Sequence, residues 1–175
     1  IIAVGKAAGA MARAALDQFG AVPVLVVTKD GHGEGLPETV RLIESAHPIP
    51  DQRSLIAGQA LRETVNGMVR DSKLLLLVSG GASALAEDPV DGYTLSDLIA
   101  AGLDIGAMNV ERRKFSQIKG GGLLAGFCGR SVQVLAISDV PKDDLAVIGS
   151  GIGNAPETHD FAFDAQIVAS NAHAR

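Results

Sequence analysis

The chain is poor in aromatic residues and in sulfur. It has no Trp, one Tyr and five Phe, so aromatics make up 3% of its 175 residues. Cys128 is alone, which excludes a disulfide framework or a zinc cluster built within one chain. No apolar run approaches the ~20 residues of a membrane span, and no signal peptide is visible. Positive charge is in deficit, with 15 Lys+Arg against 20 Asp+Glu and a formal net charge of −5. Such an acidic chain is not expected to meet a nucleic acid backbone. Two phosphate and acyl-transfer signatures are also missing: Gly-x-x-x-x-Gly-Lys-Ser/Thr and Gly-x-Ser-x-Gly occur nowhere. There is no initiator Met, and the abrupt start at Ile1 places the expected true beginning upstream.

What is present is small and apolar. Hydrophobic residues make up 47%, with 21 Gly and abundant Ala, the composition of a closely packed cytoplasmic α/β domain. A chain of this length forms one domain and buries roughly two-thirds of its unfolded surface. Against the acidic background, Asn109–Gly122 stands out, carrying Arg112, Arg113, Lys114 and Lys119 just before three glycines. A local cluster of cations in an acidic protein suits one small anion. Glycines beside cations suit an oxyanion, because backbone N–H groups approach closely where no side chain intervenes.

Short apolar runs alternate with helical patterns. Ile1–Val4 predicts a buried strand ending at Gly5, and Lys6–Phe19 a helix ending at Gly20. Val22–Val27 and Val40–Glu44 predict two further strands, and Asp51 is the N-cap of a helix running to about Arg70. Lys73–Val78 and Val132–Ile137 are apolar strands, while Leu95–Leu103 and parts of Gly106–Ile118 have helical spacing. The alternation implies a parallel sheet with helices on both faces. Ligands of such sheets bind beyond the strand C-terminal ends. That rule gathers Gly5-Lys6, Thr28–Gly33, His47–Asp51, Ser79–Ser83 and Ser138–Asp144 on one edge.

Each motif has a plain alternative. Ala3–Ala8 resembles a dinucleotide fingerprint with alanine at its first glycine, and equally a tight turn with an exposed Lys6. Val147–Ala155 looks like a better dinucleotide loop, yet no helix pattern follows it and no ribose-binding acid stands downstream. Val78–Ser83 closes an apolar strand with small residues, offering N–H groups and two hydroxyls to an anion. Asp139 ends a buried strand, where a carboxylate faces ligand or metal; Asp143 and Asp144 fit a solvated turn or a Mg²⁺ site. His32 and His47 read as loop hydrogen-bonders.

Taken in order, these segments resemble the glycerate 2-kinase family, whose C-terminal part is called the MOFRL domain. The matching pieces are Val-Gly-Lys-Ala-Ala (4–8), Val-Val-Thr-Lys-Asp-Gly-His-Gly (26–33), Glu-Ser-Ala-His-Pro-Ile-Pro-Asp (44–51) and Val-Ser-Gly-Gly-Ala-Ser-Ala-Leu (78–85). Asn109 with Arg112, Ser-Gln-Ile-Lys-Gly-Gly (116–121), the Ile137–Gly151 stretch and Val-Ala-Ser-Asn (168–171) continue the match. Departures are Ala82 for a third glycine, Lys114 and Gln117 for histidine and arginine, Lys142 for a glycine, and Ile152-Gly153 for a Pro-Thr pair.

The resemblance implies a Rossmann-like large domain and ATP-dependent phosphorylation of D-glycerate, with Mg²⁺, in a cleft closed by the MOFRL domain. No MOFRL segment follows Arg175, so this chain is expected to be an incomplete polypeptide without activity by itself. By the same resemblance, Lys6 and Asp139 are the catalytic candidates. Ser79, Gly80, Gly81, Ser83, Asn109, Arg112, Lys119, Gly120 and Gly121 are the candidates for binding nucleotide or glycerate. Asp139 would bind Mg²⁺ or orient the attacking hydroxyl. The expected partner is a small-molecule substrate, with no nucleic acid and no membrane, and a homodimer is left open. An NAD(P)H-dependent hydroxypyruvate reductase is the first rival, although neither candidate loop has its ribose acid. A non-catalytic anion-binding domain is the second.

Overall fold

Six segments pair side by side in one direction, the four central ones largely apolar. The computed structural model describes residues 1–100 and 115–170. Its strands are Ile2–Val4 (β1), Leu25–Lys29 (β2), Arg41–Ser45 (β3), Lys73–Ser79 (β4), Ser131–Ser138 (β5) and Ala162–Ser170 (β6). All neighbours are parallel, in the order β3-β2-β1-β4-β5-β6. This is the strand order of doubly wound nucleotide-binding sheets, so the expected α/β, Rossmann-like architecture is present. Continuous apolar strands suit it, because a parallel sheet covered on both faces has no side to leave polar.

Helices cover the two faces differently. On one side Ala8–Phe19 (α1) lays Ala8, Ala12 and Ala15 against Ala3, Val26 and Leu77. Small side chains bring this helix close to the sheet. On the other side Gln52–Asn66 (α2) and Ala82–Leu85 (α3) pack on Ile2, Val4, Leu76, Val78 and Val134. Leu95–Ala100 (α4) follows. The Asp51 N-cap is as expected: its carboxylate accepts from the Arg53 N–H at 2.9 Å, and the Ser54 hydroxyl accepts from the Asp51 N–H at 3.1 Å.

Several boundaries differ from the expectations, each for a local reason. β2 begins at Leu25 and not Val22, since Pro23 has no N–H to give the ladder. The N-terminal amine of Ile1 instead donates to the Pro23 carbonyl at 2.8 Å. α2 stops at Asn66, short of Arg70, because Gly67 caps it and Val69–Ser72 forms a hydrogen-bonded turn. The predicted helix over Leu95–Leu103 is observed to Ala100, and its remainder lies outside the described residues. Residues 106–114 lie outside them too, while Ser116 forms an antiparallel bridge to Pro89 where helix was expected. β6 was not anticipated. It is an edge strand in which the half-buried Phe163, Ala165 and Ile167 alternate with Asp164, Gln166 and Val168.

Candidate functional site

Between β1 and β4 the sheet changes winding direction, the place where open α/β sheets hold ligands in a crevice, and here the loops leaving these two strands meet. Gly5 and Lys6 leave β1 there, and Ser79–Ser83 leaves β4 beside them. Gly5 has φ 126°, and a Cβ on it would overlap the Ser79 hydroxyl, so only glycine permits this approach. The Lys6 N–H then donates to the Gly80 carbonyl at 2.9 Å, and the Ala7 N–H to Ser79 Oγ at 3.0 Å. From β2, Thr28 Oγ1 donates to the Gly5 carbonyl at 3.0 Å, and His32 Nδ1 lies 3.0 Å from the Lys6 carbonyl. Lys6 is thus held by its backbone while its side chain stays partly in solvent.

That side chain meets two others. Lys6 Nζ is 3.8 Å from Asp139 Oδ2, with the side chains 43% and 41% exposed. Asp139 leans over Gly80, where a Cβ would overlap its carboxylate. At Gly81, with φ 88°, a Cβ would lie 3.0 Å from His47 Cδ2 and 3.1 Å from Lys6 Cγ. Lys6, His47 and Asp139 therefore converge around two residues that offer backbone alone. Partial burial holds the His47 pKa below its ordinary value, the Lys6 and Lys29 cations lower it further, and Asp139 opposes them. From the sequence alone His47 reads as a loop hydrogen-bonder. Its place beside Lys6 follows from the parallel pairing of β3, β2 and β1, which no local pattern carries.

The other expected residues divide into three groups. Ser79 is buried, with its hydroxyl engaged by the Ala7 N–H, and Gly80 and Gly81 form the floor of the crevice. Ser83 faces inward: its Oγ is 2.8 Å from Ser150 Oγ, and its carbonyl accepts from Lys119 Nζ at 2.5 Å. Lys119, expected to face an anion, is buried and paired with Glu87 at 2.7 Å. The Gly120 and Gly121 N–H groups donate to the Ser150 and Gly151 carbonyls, each at 3.0 Å. Asn109 and Arg112 lie outside the described residues.

The chemistry of a divalent cation was tested against the acids present. Asp143 Oδ1 accepts from the Ser170 hydroxyl at 2.6 Å, and Asp144 Oδ1 accepts from the Ala146 N–H at 2.9 Å. Among the described residues no group of three His, Cys, Asp or Glu is placed to hold a metal. Of the acids among the described residues, Asp139 stands beside Lys6, and one carboxylate fits an ion such as Mg²⁺, which takes one or two carboxylates and completes its shell with phosphate oxygens and water. At the rim, Arg53 bonds Asp30 at 2.5 and 3.1 Å and Asp51 at 2.9 Å, tying the β2 loop to the start of α2.

The dinucleotide alternatives meet this geometry poorly. Ile148–Gly151 is a 3-10 turn with Gly149, Ser150 and Gly151 at positive φ, and no strand leads into it. After β2, where dinucleotide sheets carry a ribose-binding acid, Asp30 stands with its carboxylate engaged by Arg53.

Comparison with known proteins agrees with the fold. The family model described as Domain of unknown function (DUF4147) matches residues 1–173, and the chain belongs to that family. A glycerate 2-kinase from Pyrococcus horikoshii is 38% identical over 158 residues, covering 86% of this chain and 36% of the relative. A protein of Agrobacterium vitis provisionally named a hydroxypyruvate reductase is 39% identical over 169 residues, covering 90% and 43%. The crystal structure of a glycerate kinase from Thermotoga maritima superposes with a TM-score of 0.80 at 35% identity, covering 90% of this chain and 40% of that one. The chain thus spans well under half the length of the relatives it matches. Among the described residues no helix is long and apolar enough to cross a membrane.

Proposed function

We propose that this DUF4147 chain carries the Rossmann-like part of a glycerate kinase, in which ATP phosphorylates a hydroxyl of D-glycerate. The observation that carries the reading is the meeting of Lys6 and Asp139 across Gly80, at the switch point of the sheet. A cation and a carboxylate with backbone between them are what phosphoryl transfer asks of a protein, because its catalysis is positioning and charge neutralisation. The names of the relatives from Pyrococcus horikoshii and Thermotoga maritima support the same reading.

In this account the Lys6 ammonium neutralises oxygens of the transferred phosphoryl group. The backbone of Ser79–Ser83 receives phosphate or glycerate, and Asn109 and Arg112 hold the substrate, a guanidinium suiting its carboxylate. Asp139 would hold Mg²⁺, or would orient the attacking hydroxyl. Mg²⁺, when bound, offsets the negative charge of the phosphates. Dinucleotide reduction is the weaker reading, since Arg53 occupies the acid that would take a ribose.

The test is to purify the full gene product and supply ATP, Mg²⁺ and D-glycerate. ADP and phosphoglycerate should accumulate together. Absence of ADP, with NADH consumed on hydroxypyruvate, replaces the kinase by the reductase. Inactivity in both assays, with phosphate still bound, leaves an anion-binding domain.

A further inference from the structure

The least ordinary feature of the interior is a charge pair. The side chains of Lys119 and Glu87 are both 0% exposed, with Nζ 2.7 Å from Oε1. Their near neighbours in the chain, Leu85, Ile118, Leu123 and Leu124, are all fully buried. Replacing such a pair by apolar side chains is often neutral or stabilising, so its presence in an aliphatic core is poorly explained by stability. What the pair does geometrically is more specific. The Lys119 ammonium also donates to the Ser83 carbonyl at 2.5 Å and lies 3.4 Å from Ser83 Oγ. Ser83 belongs to the first turn of α3, directly after Gly80 and Gly81.

A closed circuit follows from these bonds. Ser83 Oγ is 2.8 Å from Ser150 Oγ, and the Ser150 carbonyl accepts from the N–H of Gly120, next to Lys119, at 3.0 Å. Ser150 is held at φ 58°, a conformation uncommon outside glycine, so the surrounding bonds over-determine it. At the other end, the Glu87 N–H donates to the Ser54 carbonyl at 2.9 Å, tying the pair to the first turn of α2. The Lys119-Gly120 loop, the Ser150 turn and the first turn of α2 are thereby tied to the start of α3, which follows Gly80 and Gly81.

We propose that Lys119 is a positioning residue, whose buried ammonium, balanced by Glu87, grips the Ser83 backbone and keeps the Ser79–Ser83 turn in the shape that receives phosphoryl oxygens. The cation acts through the turn and not on the ligand. This rests on the phosphate-binding reading above, and it assigns Lys119 a different task from the anion contact expected of it.

The experiment compares the wild-type full gene product with Lys119→Met, Lys119→Arg and the double variant Lys119→Met/Glu87→Met. Melting temperature, kcat, glycerate KM and affinity for inorganic phosphate are measured for each. The single Met variant should lose stability, because it takes a buried cation away from the Glu87 carboxylate. The double variant should regain that stability yet keep a kcat at least ~10-fold below wild type, with phosphate affinity reduced and glycerate KM little changed. Recovery of kcat and phosphate affinity along with stability would make the pair merely structural and overturn the proposal. Should the double variant not fold, Lys119→Arg and Lys119→Met are compared below both melting temperatures. A kcat higher with the cation retained supports the proposal, and equal values overturn it. A wild type without kinase activity sinks the kinase reading by itself, and phosphate affinity then decides whether Lys119 positions the turn. Wild type that binds no phosphate overturns both.

Discussion

Lys6 Nζ and Asp139 Oδ2 face each other at 3.8 Å, with the carboxylate lying where a side chain on residue 80 would stand. Three strand ends create the relationship: β1 delivers the lysine, β5 the carboxylate, and β4 the glycine. Parallel pairing puts all three at one level of the sheet, and the left-handed Gly81 turns the chain away behind them. Both side chains are about two-fifths exposed, so their attraction is screened by water and adds little to stability. What they provide is a cation and a carboxylate side by side, both reachable from solvent.

Lys6→Ala in the full gene product should lower kcat far more than it raises the KM for glycerate. The ammonium acts on charge that develops in the transition state, and losing such a group commonly costs ~10²–10³ in rate. Steady-state kinetics checks this, and near-normal turnover would reduce Lys6 to a turn residue.

Gly80→Ala places a methyl group where the Asp139 carboxylate now lies. The backbone of Gly80 is not among those with positive φ, so strain is not the obstacle. The carboxylate, being partly exposed, can swing aside, and the fold should survive with a stability change of about 1 kcal/mol or less. Activity should fall at least ~10-fold, since a 1 Å misplacement at a reacting centre can cost more than that. Urea denaturation and kinetics together check the prediction; an active, stable variant would free Asp139 from any role.

His47 should make stability depend on pH in a defined direction. Its folded pKa lies below the ordinary value of about 6.5, through burial first and then Lys6 and Lys29, with Asp139 opposing. As pH falls through about 6.5 the unfolded chain takes up a proton before folded His47 does, so stability present above that pH is lost below it. His47→Gln should flatten the difference between unfolding free energies measured at pH 7.5 and pH 5.5. An unchanged slope would mean that His47 titrates alike in both states.

Asp51→Ala removes the carboxylate that accepts the Arg53 N–H and leaves the first turn of α2 unsatisfied. Loss of such a cap costs about 1 kcal/mol, and the loss should appear as a lower melting temperature. The carboxyl pKa is held below the usual range, chiefly by the Arg53 side chain. The wild-type advantage should therefore persist at neutral pH and fade as acid protonates Asp51 through its depressed folded pKa. An advantage unchanged in acid would show that the cap acts without its charge.

Much of this protein is settled by short stretches of its own sequence. The runs Lys73–Val78 and Val132–Ile137 read as buried strands, Asp51 as the start of a helix, and Gly5 and Gly80-Gly81 as turns at strand ends. Those are local properties of dihedral freedom, capping and periodicity, and they led to a parallel sheet with its loops gathered on one edge. The edge strand Ala162–Ser170 alternates in the same local way, yet its membership of the sheet depends on pairing with β5. The fate of a charge is not local. Lys119 looks like Lys6 in sequence, a cation beside glycine, yet one ends in the crevice and the other in the core. What separates them is Glu87 and the Ser83 carbonyl, the latter 36 residues earlier in the chain, waiting where Lys119 is buried. A buried cation needs partners that only the folded chain can bring, so tertiary structure decided which lysine can meet a ligand and which holds the protein around it.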